Sequence, residues 1–227
     1  MTGSLILIRH GQTAWSRDNF YTGRTNLPLT KQGMEEARLA QKKIQNINPQ
    51  IIYVSPLKRA QQTAKLIGFG NYIIEPLIQE IDFGPVEGRK VEEITEAKTR
   101  YWGEDKGQWS VFTDGVFFDM SFLGPVPEDR LVYDPEIEQY VKVATLPGET
   151  IQEASARAQR MIYKILPDLY KGKDIAVVAH AQFLRYLATQ WIEVHPKVAQ
   201  NLFLDTASVS ILKISSRDEK IIYKWNL

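Results

Sequence analysis

The stretch that decides the fold is residues 5–11 (LILIRHG), four apolar residues followed at once by an arginine, a histidine and a glycine. A short, uninterrupted apolar run predicts a strand that is buried on both faces of a parallel sheet. Two later stretches share the pattern: residues 51–54 (IIYV) lead into Ser-Pro, and residues 175–179 (IAVVA) lead into His180. Three buried strands are therefore predicted, each ending at a polar or turn residue.

Helical patterns lie between these strands. The last one opens with Thr150 and has Glu153 three residues later, which matches a capping box. In the middle one, Ser55 is the expected N-cap and Pro56 the first helical residue, and Thr30 is the expected cap of the first. Strands that alternate with helices predict an α/β fold with a mainly parallel central sheet flanked by helices. The helices are predicted at residues 31–46, 56–67 and 151–169.

Two regions depart from this alternation. Residues 208–214 and 220–225 flank the turn-like residues 215–218 (SSRD), which predicts a hairpin that adds an antiparallel edge to the sheet. Residues 101–147 have weak periodicity, several glycines and prolines, and 9 of the 24 aromatic residues. We therefore expect a single domain, residues 1–227, with an aromatic-rich insertion over about 101–147. The insertion is interpreted as a surface excursion whose aromatic residues pack on the body or as a lid over a ligand site, and the two interpretations are compatible.

Composition narrows the classes of function. The formal charge is +1, from 28 basic and 27 acidic residues without a long basic run, which argues against nucleic acid and anionic membranes as partners. The chain has no cysteine, which excludes thiolate nucleophiles and disulfides. Its first apolar run is too short for a signal peptide or a membrane span, so a cytoplasmic location is expected. The sequence does not predict an oligomeric state.

Two of the three histidines follow predicted strands directly. His10 follows the first strand and His180 follows the last, whereas His195 precedes a proline and is expected in a surface loop. Ligands of open α/β sheets bind beyond the carboxyl ends of the strands, so His10 and His180 are expected to meet there. Position alone would equally fit two histidines held by local hydrogen bonds.

Two arginines favour a site for an anion. Arg9 precedes the first histidine, and Arg59 lies one turn into the helix that follows the second strand, near the same crevice. Guanidinium donors match phosphate oxygens, and the N-terminus of a helix adds a favourable dipole. Taken alone, Arg59 would more often be a surface residue of a helix.

With these residues in place, the sequence resembles the histidine phosphatase superfamily, also called the phosphoglycerate mutase family. The resemblance covers most of the chain, with motifs in the family's order. The motifs are residues 7–13 (LIRHGQT), 21–33 (YTGRTNLPLTKQG), 55–63 (SPLKRAQQT), 80–88 (EIDFGPVEG), 178–185 (VAHAQFLR) and 205–209 (DTASV).

The resemblance implies a phosphoglycerate mutase-like fold and a role for each motif residue. It makes His10 the nucleophile, with Arg9, Arg59 and His180 contacting the transferring phosphoryl group, and Glu80 the proton donor. A neutral imidazole is a competent nucleophile and later a good leaving group, which splits one displacement into two easier ones. Fixed positive groups can stabilise the charge of the transition state, so no metal and no cofactor are expected.

A second carboxylate competes for the role of acid. Glu87 lies in the same motif as Glu80, but the family pattern places the donor ahead of the aromatic-glycine pair at residues 83–84, which favours Glu80. Asp82 is expected to be structural. The acid must be protonated when the ester arrives, and a nearby phosphate dianion would favour that state by raising the pKa of the acid.

Weaker candidates surround this core. Gln12, Thr22 and Gly23 match loop positions that can contact phosphate, although Gln12 could equally cap a turn. Relatives commonly have glycine where this chain has Ala181, and His or Asn where it has Gln182. The extra methyl group could narrow the pocket or change the backbone angle, and Gln182 is expected to alter contacts with the substrate.

These residues predict a phosphatase that acts on a small phosphorylated metabolite through a phosphohistidine. A phosphoglycerate mutase is the alternative, but it would also bind a carboxylate, and residues 101–147 lack the adjacent arginine pair of the cofactor-dependent mutases. The basic residues available to it are Arg89, Lys90, Lys98 and Arg100. A non-catalytic phosphate-ester sensor is a further alternative, although one would not be expected to keep the whole catalytic set. Within the insertion, the candidates for selecting the substrate are Trp102, Trp109, Phe117 and Phe118.

Overall fold

All three apolar runs form strands. The protein is seen here in a computed structural model that describes residues 2–102, 110–112, 123–124, 126–144 and 147–227. Within that part of the chain the strands are Ser4–Arg9 (β1), Ile51–Val54 (β2), Ile73–Ile74 (β3), Tyr133–Asp134 (β4), Gln139–Tyr140 (β5), Ile175–Ala179 (β6), Val209–Ile214 (β7) and Lys220–Lys224 (β8).

Helices fill the connections between the strands. Short 3₁₀ turns add to them at Pro76–Ile78, Gly84–Val86, Glu128–Arg130 and Pro196–Asn201. The α-helices of the described residues are Ala14–Arg17 (α1), Lys31–Lys43 (α2), Lys58–Ile67 (α3), Val91–Trp102 (α4), Ile151–Tyr170 (α5) and Ala181–Trp191 (α6).

The central sheet has six strands in the order β3-β2-β6-β1-β7-β8. Strands β3, β2, β6 and β1 run parallel, and the hairpin β7–β8 joins antiparallel to β1. This arrangement confirms the predicted α/β fold with a mainly parallel sheet and an antiparallel addition at one side. Because β1 and β6 are parallel neighbours, the residues that follow them emerge side by side.

Both faces of the sheet are covered, as the apolar runs require. Leu5 and Leu7 pack with buried residues of α5 and α6, whereas Ile6 and Ile8 pack on the other face with residues of α2 and α3. All four side chains are at most 1% exposed. Each such burial stabilises the fold by roughly 1.5–3 kcal/mol, so the position of β1 at the centre of the sheet is strongly determined.

The caps of two helices are as predicted. The Thr30 side chain accepts a hydrogen bond from the backbone N–H of Gly33, and Thr150 forms a reciprocal capping box with Glu153. Helix α2 ends at Lys43, three residues before the predicted end, because Ile44 leaves the helical conformation (φ −114°, ψ 8°).

The predicted start of the middle helix is wrong. Helix α3 begins at Lys58, because Leu57 has an extended backbone (φ −74°, ψ 136°) and caps the helix without a side-chain bond. Ser55 is not the cap. Its hydroxyl is the acceptor for the N–H of Leu57 and lies 2.7 Å from a ring nitrogen of His180. Arg59 is consequently the second residue of the helix rather than part of a completed first turn.

The insertion is described in part. The β4–β5 hairpin contacts the start of α3, where the Nζ of Lys58 lies 2.6 Å from both Asp134 and Glu136. Next to the hairpin, Val141 packs with Trp15 and Leu27 in a small apolar cluster. These residues pack on the body, which is compatible with both interpretations of the insertion. Of the residues proposed to select the substrate, Trp109, Phe117 and Phe118 lie outside the described residues, and Trp102 is described only as the last residue of α4. The lid therefore stays a prediction.

No helix in the described ranges is long and apolar enough to cross a membrane.

Candidate active site

His10 and His180 meet at the carboxyl ends of two neighbouring strands. His10 directly follows β1, His180 directly follows β6, and the N–H of His10 donates to the carbonyl of Ala179, 3.0 Å away. The ring centroids are 5.1 Å apart, and the residues are 4% and 0% exposed. The sequence places these residues 170 positions apart, so only the parallel pairing of β1 with β6 brings them together.

The hydrogen bonds of His10 fix its tautomer. Its Nδ1 lies 2.7 Å from the carbonyl oxygen of Gly11, and a carbonyl can only accept, so Nδ1 carries the proton. The other ring nitrogen, Nε2, accepts from the Nε of Arg59 at 3.3 Å. Burial, together with the positive charges of Arg59 and Arg9, lowers the pKa of His10 well below its usual range. The ring is therefore neutral near pH 7 and presents a lone pair on Nε2.

His180 carries the opposite tautomer. Its Nδ1 accepts from the Nε of Arg59 at 3.1 Å, which leaves Nε2 to donate to the hydroxyl of Ser55 at 2.7 Å. Burial, and after it the charge of Arg59, lowers the pKa of His180 well below its usual range. The two neutral rings thus direct their lone pairs at the same guanidinium N–H.

Arg59 holds the loop above the histidines as well as the histidines themselves. Its side chain is fully buried, and burial lowers the pKa of its guanidinium to about 10. The two Nη atoms donate to the carbonyls of Thr25 and Gly23, at 2.9 and 2.7 Å. Arg59 therefore shapes the pocket by tying residues 22–25 to α3, while its Nε bridges the two rings.

Arg9 reaches the pocket from the last position of β1. One Nη atom donates to the carbonyl of Leu204 at 2.5 Å, which fixes the guanidinium. Its Nε is buried and has no hydrogen-bond partner among the described residues. A donor in that position is available to a bound anion, since an unpaired buried donor is otherwise costly.

Glu80 lies on the wall of the same pocket. It is 4% exposed, and burial raises the pKa of its carboxyl group. Oxygen Oε1 accepts from the N–H groups of Ile81 and Phe183, both at 2.9 Å, and Oε2 accepts from Gln182 at 3.1 Å. Two of these donors belong to the first turn of α6, directly after His180, so the carboxyl group is fixed relative to the histidine pair.

Glu87 is equally buried but faces another group. Both of its oxygens accept from the N–H of Gly23, at 3.0 and 2.9 Å, and one also accepts from Thr25 at 2.9 Å. Burial raises the pKa of Glu87 too, so the pKa direction does not separate it from Glu80. Position does, because Glu80 lines the pocket with His10, whereas the carboxylate of Glu87 is occupied by the loop.

The pocket in front of the histidines has a volume of about 240 Å³. Its charged side chains, among the residues described, are Arg9 and Glu80, and the remaining wall is aromatic, aliphatic or neutral and polar. The rings of Tyr21 and Phe83 pack 4.9 Å apart within this wall. The lining residues are Arg9, His10, Ser16, Asn19, Phe20, Tyr21, Thr22, Glu80, Phe83, Val91, Ala181 and Gln182.

Of the four predicted substrate-binding residues, Thr22 and Gln182 line the pocket, and Gln12 and Gly23 do not. The side chain of Gln12 accepts from Thr30, which ties it to the start of α2. The N–H of Gly23 is engaged by Glu87, so the predicted backbone contact with phosphate is not supported. A side chain on Gly23 would approach the carbonyl of Ile81 to 2.4 Å, so its glycine serves close packing of the loop.

Arg185 orients Gln182, a contact that the sequence did not indicate. The guanidinium donates to Oε1 of Gln182 at 3.2 Å and to the carbonyls of Ala199 and Gln200, both at 2.7 Å. Because guanidinium has no acceptor, the amide oxygen must face Arg185 and the amide NH₂ must point elsewhere. The spacing of residues 182 and 185, one turn apart on a helix, was the available signal.

Other residues of the site also escaped the sequence reasoning. Ser55 contacts His180, although it was expected to cap a helix, and Phe20 and Phe83 form part of the wall. Asp82 has the structural role expected of it, since it accepts from the N–H of Gly84 at 2.8 Å. Ala181 begins α6 in a conformation that does not need glycine, and its methyl group lies on the pocket wall.

No group of three His, Asp or Glu side chains that could hold a metal ion is found in the described ranges.

Comparisons with known proteins agree with this architecture. The chain is 27% identical over 209 residues to an acid phosphatase of Mycobacterium tuberculosis, an alignment that covers 91% of this chain and 84% of that protein. It is 30% identical over 202 residues to a 2,3-bisphosphoglycerate-dependent phosphoglycerate mutase of Bifidobacterium longum, covering 82% of this chain and 75% of that protein. A solved structure of an open reading frame from Mycobacterium tuberculosis superimposes with a TM-score of 0.78 and 25% identity, covering 100% of this chain and 98% of the other.

The relatives thus include both a phosphatase and a mutase. The family model described as the histidine phosphatase superfamily (branch 1) matches residues 5–115 and 128–227, which is nearly the whole chain. Its match spans both histidines, both arginines and Glu80. The sheet order, the paired histidines and this match lead to one conclusion: the chain belongs to the histidine phosphatase superfamily.

Proposed function

We propose that this protein is a phosphatase that hydrolyses a small phosphorylated metabolite through a phosphohistidine on His10, without a metal ion. The observation that carries the proposal is the unprotonated Nε2 of His10, which is held by the Nδ1–H bond to Gly11 and shares a pocket with Glu80. A nucleophile and an acid are thereby available on one small cavity. The histidine phosphatase relatives are consistent with this chemistry.

In the first step, Nε2 of His10 attacks phosphorus and the bond from phosphorus to the ester oxygen breaks. The departing alkoxide takes the proton of Glu80 and leaves as an alcohol. Burial raises the pKa of Glu80, which favours the protonated form that this step requires. Oε1 already accepts two backbone N–H groups, so the transferable proton belongs on Oε2, which accepts one.

The charge that develops on the phosphoryl oxygens meets fixed donors. Arg9 supplies its unpartnered Nε, and Arg59 supplies the Nε that otherwise bridges the two histidines. A bound phosphate dianion raises the pKa of a neighbouring imidazole, so His180 takes up a proton from solvent on Nδ1 when the ester binds and donates to the phosphoryl group while Nε2 stays on Ser55. Such preorganised donors stabilise the transition state without reorganisation.

In the second step, Glu80 acts as a base. Its carboxylate takes a proton from water, the water oxygen attacks phosphorus, and the bond from phosphorus to Nε2 breaks to release orthophosphate. The proton returns Glu80 to the acid form, and His10 regains its lone pair. One carboxyl group therefore serves both halves of the cycle.

A phosphoglycerate mutase is the second candidate, favoured by the identity to a mutase over 82% of the chain. A mutase must bind a substrate carboxylate in addition to the phosphate. Among the described residues, the cationic side chain on the pocket lining is that of Arg9, and the nearby Arg185 already donates to two carbonyls and to Gln182. This distribution of charge supports hydrolysis of an ester whose remaining part is neutral and polar, such as a sugar phosphate.

The test is a hydrolysis screen over phosphorylated metabolites in the presence of a chelator, run in parallel with a mutase assay that contains 3-phosphoglycerate and 2,3-bisphosphoglycerate. We expect release of inorganic phosphate with the chelator present, and acid-labile phosphate on His10 after rapid quenching. Conversion of 3-phosphoglycerate without net phosphate release would establish the mutase instead. Loss of hydrolysis in the chelator would overturn the metal-independent mechanism.

A further inference from the structure

Arg157, on α5, directs three of its five N–H donors at the segment that carries Glu80. Its Nη1 donates to the carbonyls of Leu77 and Gln79, at 2.6 and 2.7 Å, and Nη2 reaches the carbonyl of Glu80 at 3.4 Å. The remaining donors form a bidentate pair with Glu149 at 2.8 and 2.7 Å. Five N–H groups thus meet five acceptors, and the side chain is buried.

The same guanidinium also packs on the ring of Phe183, a residue that is hydrogen-bonded to the Glu80 carboxyl group. Its central carbon lies 4.7 Å from the ring centroid of Phe183. The backbone N–H of Phe183 donates to Oε1 of Glu80 at 2.9 Å. Arg157 therefore contacts both the backbone segment that contains Glu80 and Phe183, the residue that is hydrogen-bonded to the carboxyl group of Glu80.

Glu149 completes the connection from its own side. Its carboxylate accepts from the N–H of Asp82 at 3.3 Å, and its N–H donates to the carbonyl of Asp82 at 2.8 Å. The residues on both sides of Glu80 are in this way attached to the Arg157–Glu149 pair. Neither residue lines the pocket, so the pair does not contact the substrate and acts through the groups it holds or through its charge.

We propose that the buried Arg157–Glu149 pair is the positioning element for Glu80, fixing where its carboxyl group stands relative to the leaving oxygen. The proposal rests on the proposed function, in which Glu80 protonates the leaving group. Breaking buried polar contacts around a reacting group shifts it, and a displacement of about 1 Å can cost roughly 10²-fold in rate. Because a good leaving group needs little protonation, the loss falls on poor leaving groups.

The experiment compares kcat/KM, which reports the steps up to departure of the leaving group and excludes the second step that all esters share, for an alkyl phosphate, glycerol 3-phosphate, and for the activated aryl ester p-nitrophenyl phosphate. Arg157→Met is expected to slow the alkyl ester by roughly 10–100-fold more than the aryl ester. Arg157→Lys, which keeps the charge and some of the bonds, should fall between Met and wild type. Arg160→Met is the matched control, because Arg160 lies on the exposed side of the same helix, and it should leave both rates unchanged.

A double-mutant cycle separates positioning from general damage. If Arg157 acts through Glu80, adding Arg157→Met to Glu80→Gln should cause little further loss on the alkyl ester. Equal slowing of both esters by Arg157→Met, or full additivity with Glu80→Gln, would overturn the proposal. Equal slowing is also what a purely electrostatic effect of Arg157 on His180 would produce, since lowering of the His180 pKa has Arg157 among its causes.

Other variants keep the proposal testable if Arg157→Met is not stable enough to fold. Circular dichroism melts accompany each protein, and should Arg157→Met fail to fold, Glu149→Gln and Arg157→Lys carry the same comparison of esters. The proposed function fails separately. If Glu80→Gln does not discriminate between the two esters, Glu80 is not the acid. If Glu80→Gln discriminates but no Arg157 or Glu149 variant does, only the positioning role is wrong.

Discussion

The two ends of the pocket differ in how tightly they are determined. At the phosphate end, His10, His180 and Arg59 are buried, and their ring and guanidinium nitrogens are joined in one hydrogen-bonded network. At the other end the wall consists of rings and neutral polar groups such as Tyr21 and Phe83. The first end rests on strand ends and a helix start, whereas Tyr21 and Phe83 lie in connections between helices and strands.

This difference indicates that phosphoryl transfer and substrate selection depend on different ends of the pocket. A preorganised network of charged groups suits a phosphoryl group, which is the same in every ester. An aromatic and neutral wall contributes contacts that vary from one substrate to another, each worth about 1–3 kcal/mol of discrimination. Substitutions at the phosphate end should therefore stop turnover for all substrates, and those at the other end should reorder substrates.

The largest expected effect is that of His10→Ala. Among the described residues, His10 is the histidine that lines the pocket with an unprotonated ring nitrogen, so turnover of every ester should fall by at least about four orders of magnitude in its absence. Steady-state phosphate release measures it. His195→Ala, which changes an exposed histidine outside the pocket, is the control and should retain wild-type activity. Near-normal hydrolysis by His10→Ala would contradict the assignment of the chemistry to the phosphate end of the pocket.

Glu80→Gln should come next. We expect kcat/KM to fall by about 10²–10⁴-fold on an alkyl phosphate and by much less on p-nitrophenyl phosphate, because the p-nitrophenolate leaving group needs little protonation. Glu87→Gln removes an equally buried carboxylate that faces the loop. It should affect both esters alike if it affects either. If Glu87→Gln selectively lost activity on the alkyl ester, Glu87 rather than Glu80 would be the acid.

The pH dependence of kcat/KM on an alkyl phosphate sharpens the comparison. His10 must be neutral, and burial lowers its pKa, so activity should persist below pH 6.5 and fall only at more acidic pH. Glu80 must be protonated, and burial raises its pKa, so activity should decline toward alkaline pH from a point above the ordinary carboxyl range. Glu80→Gln should lose the alkaline limb and keep the acid limb. An unchanged alkaline limb would mean that another group titrates.

The smallest expected effects lie in the insertion. Single alanine substitutions of Trp102, Trp109, Phe117 and Phe118 should change relative kcat/KM among metabolites by about 10-fold, and should leave p-nitrophenyl phosphate hydrolysis near its wild-type rate. Tyr163→Ala, an exposed aromatic on α5 outside this pocket, is a suitable control. If none of the four substitutions changes the ranking of substrates, the insertion is an elaboration of the fold and does not select the substrate.

Much of the fold follows from local patterns. The apolar runs of β1, β2 and β6 and the caps at Thr30 and Thr150 are formed as predicted, because burial on both sheet faces and capping are short-range consequences of residue type. The start of α3 was not predictable in this way. The preferred local role of Ser55 as a cap competes with its contact to His180, 125 residues away, and that contact has no local signal.

The site divides in the same manner. The sequence by itself determined the residue types, their order and the strand ends at which His10 and His180 stand, since a buried parallel strand needs only a run of apolar residues before them. Tertiary structure decided the tautomer of each ring and the exclusion of Gln12 and Gly23 from the pocket, and it placed Glu80, which the family pattern already favoured over Glu87, on the pocket lining. Except for the contact of His10 with its neighbour Gly11, the hydrogen-bond partners that fix these features are distant in sequence. A polar group takes its state from the donors and acceptors that folding places around it.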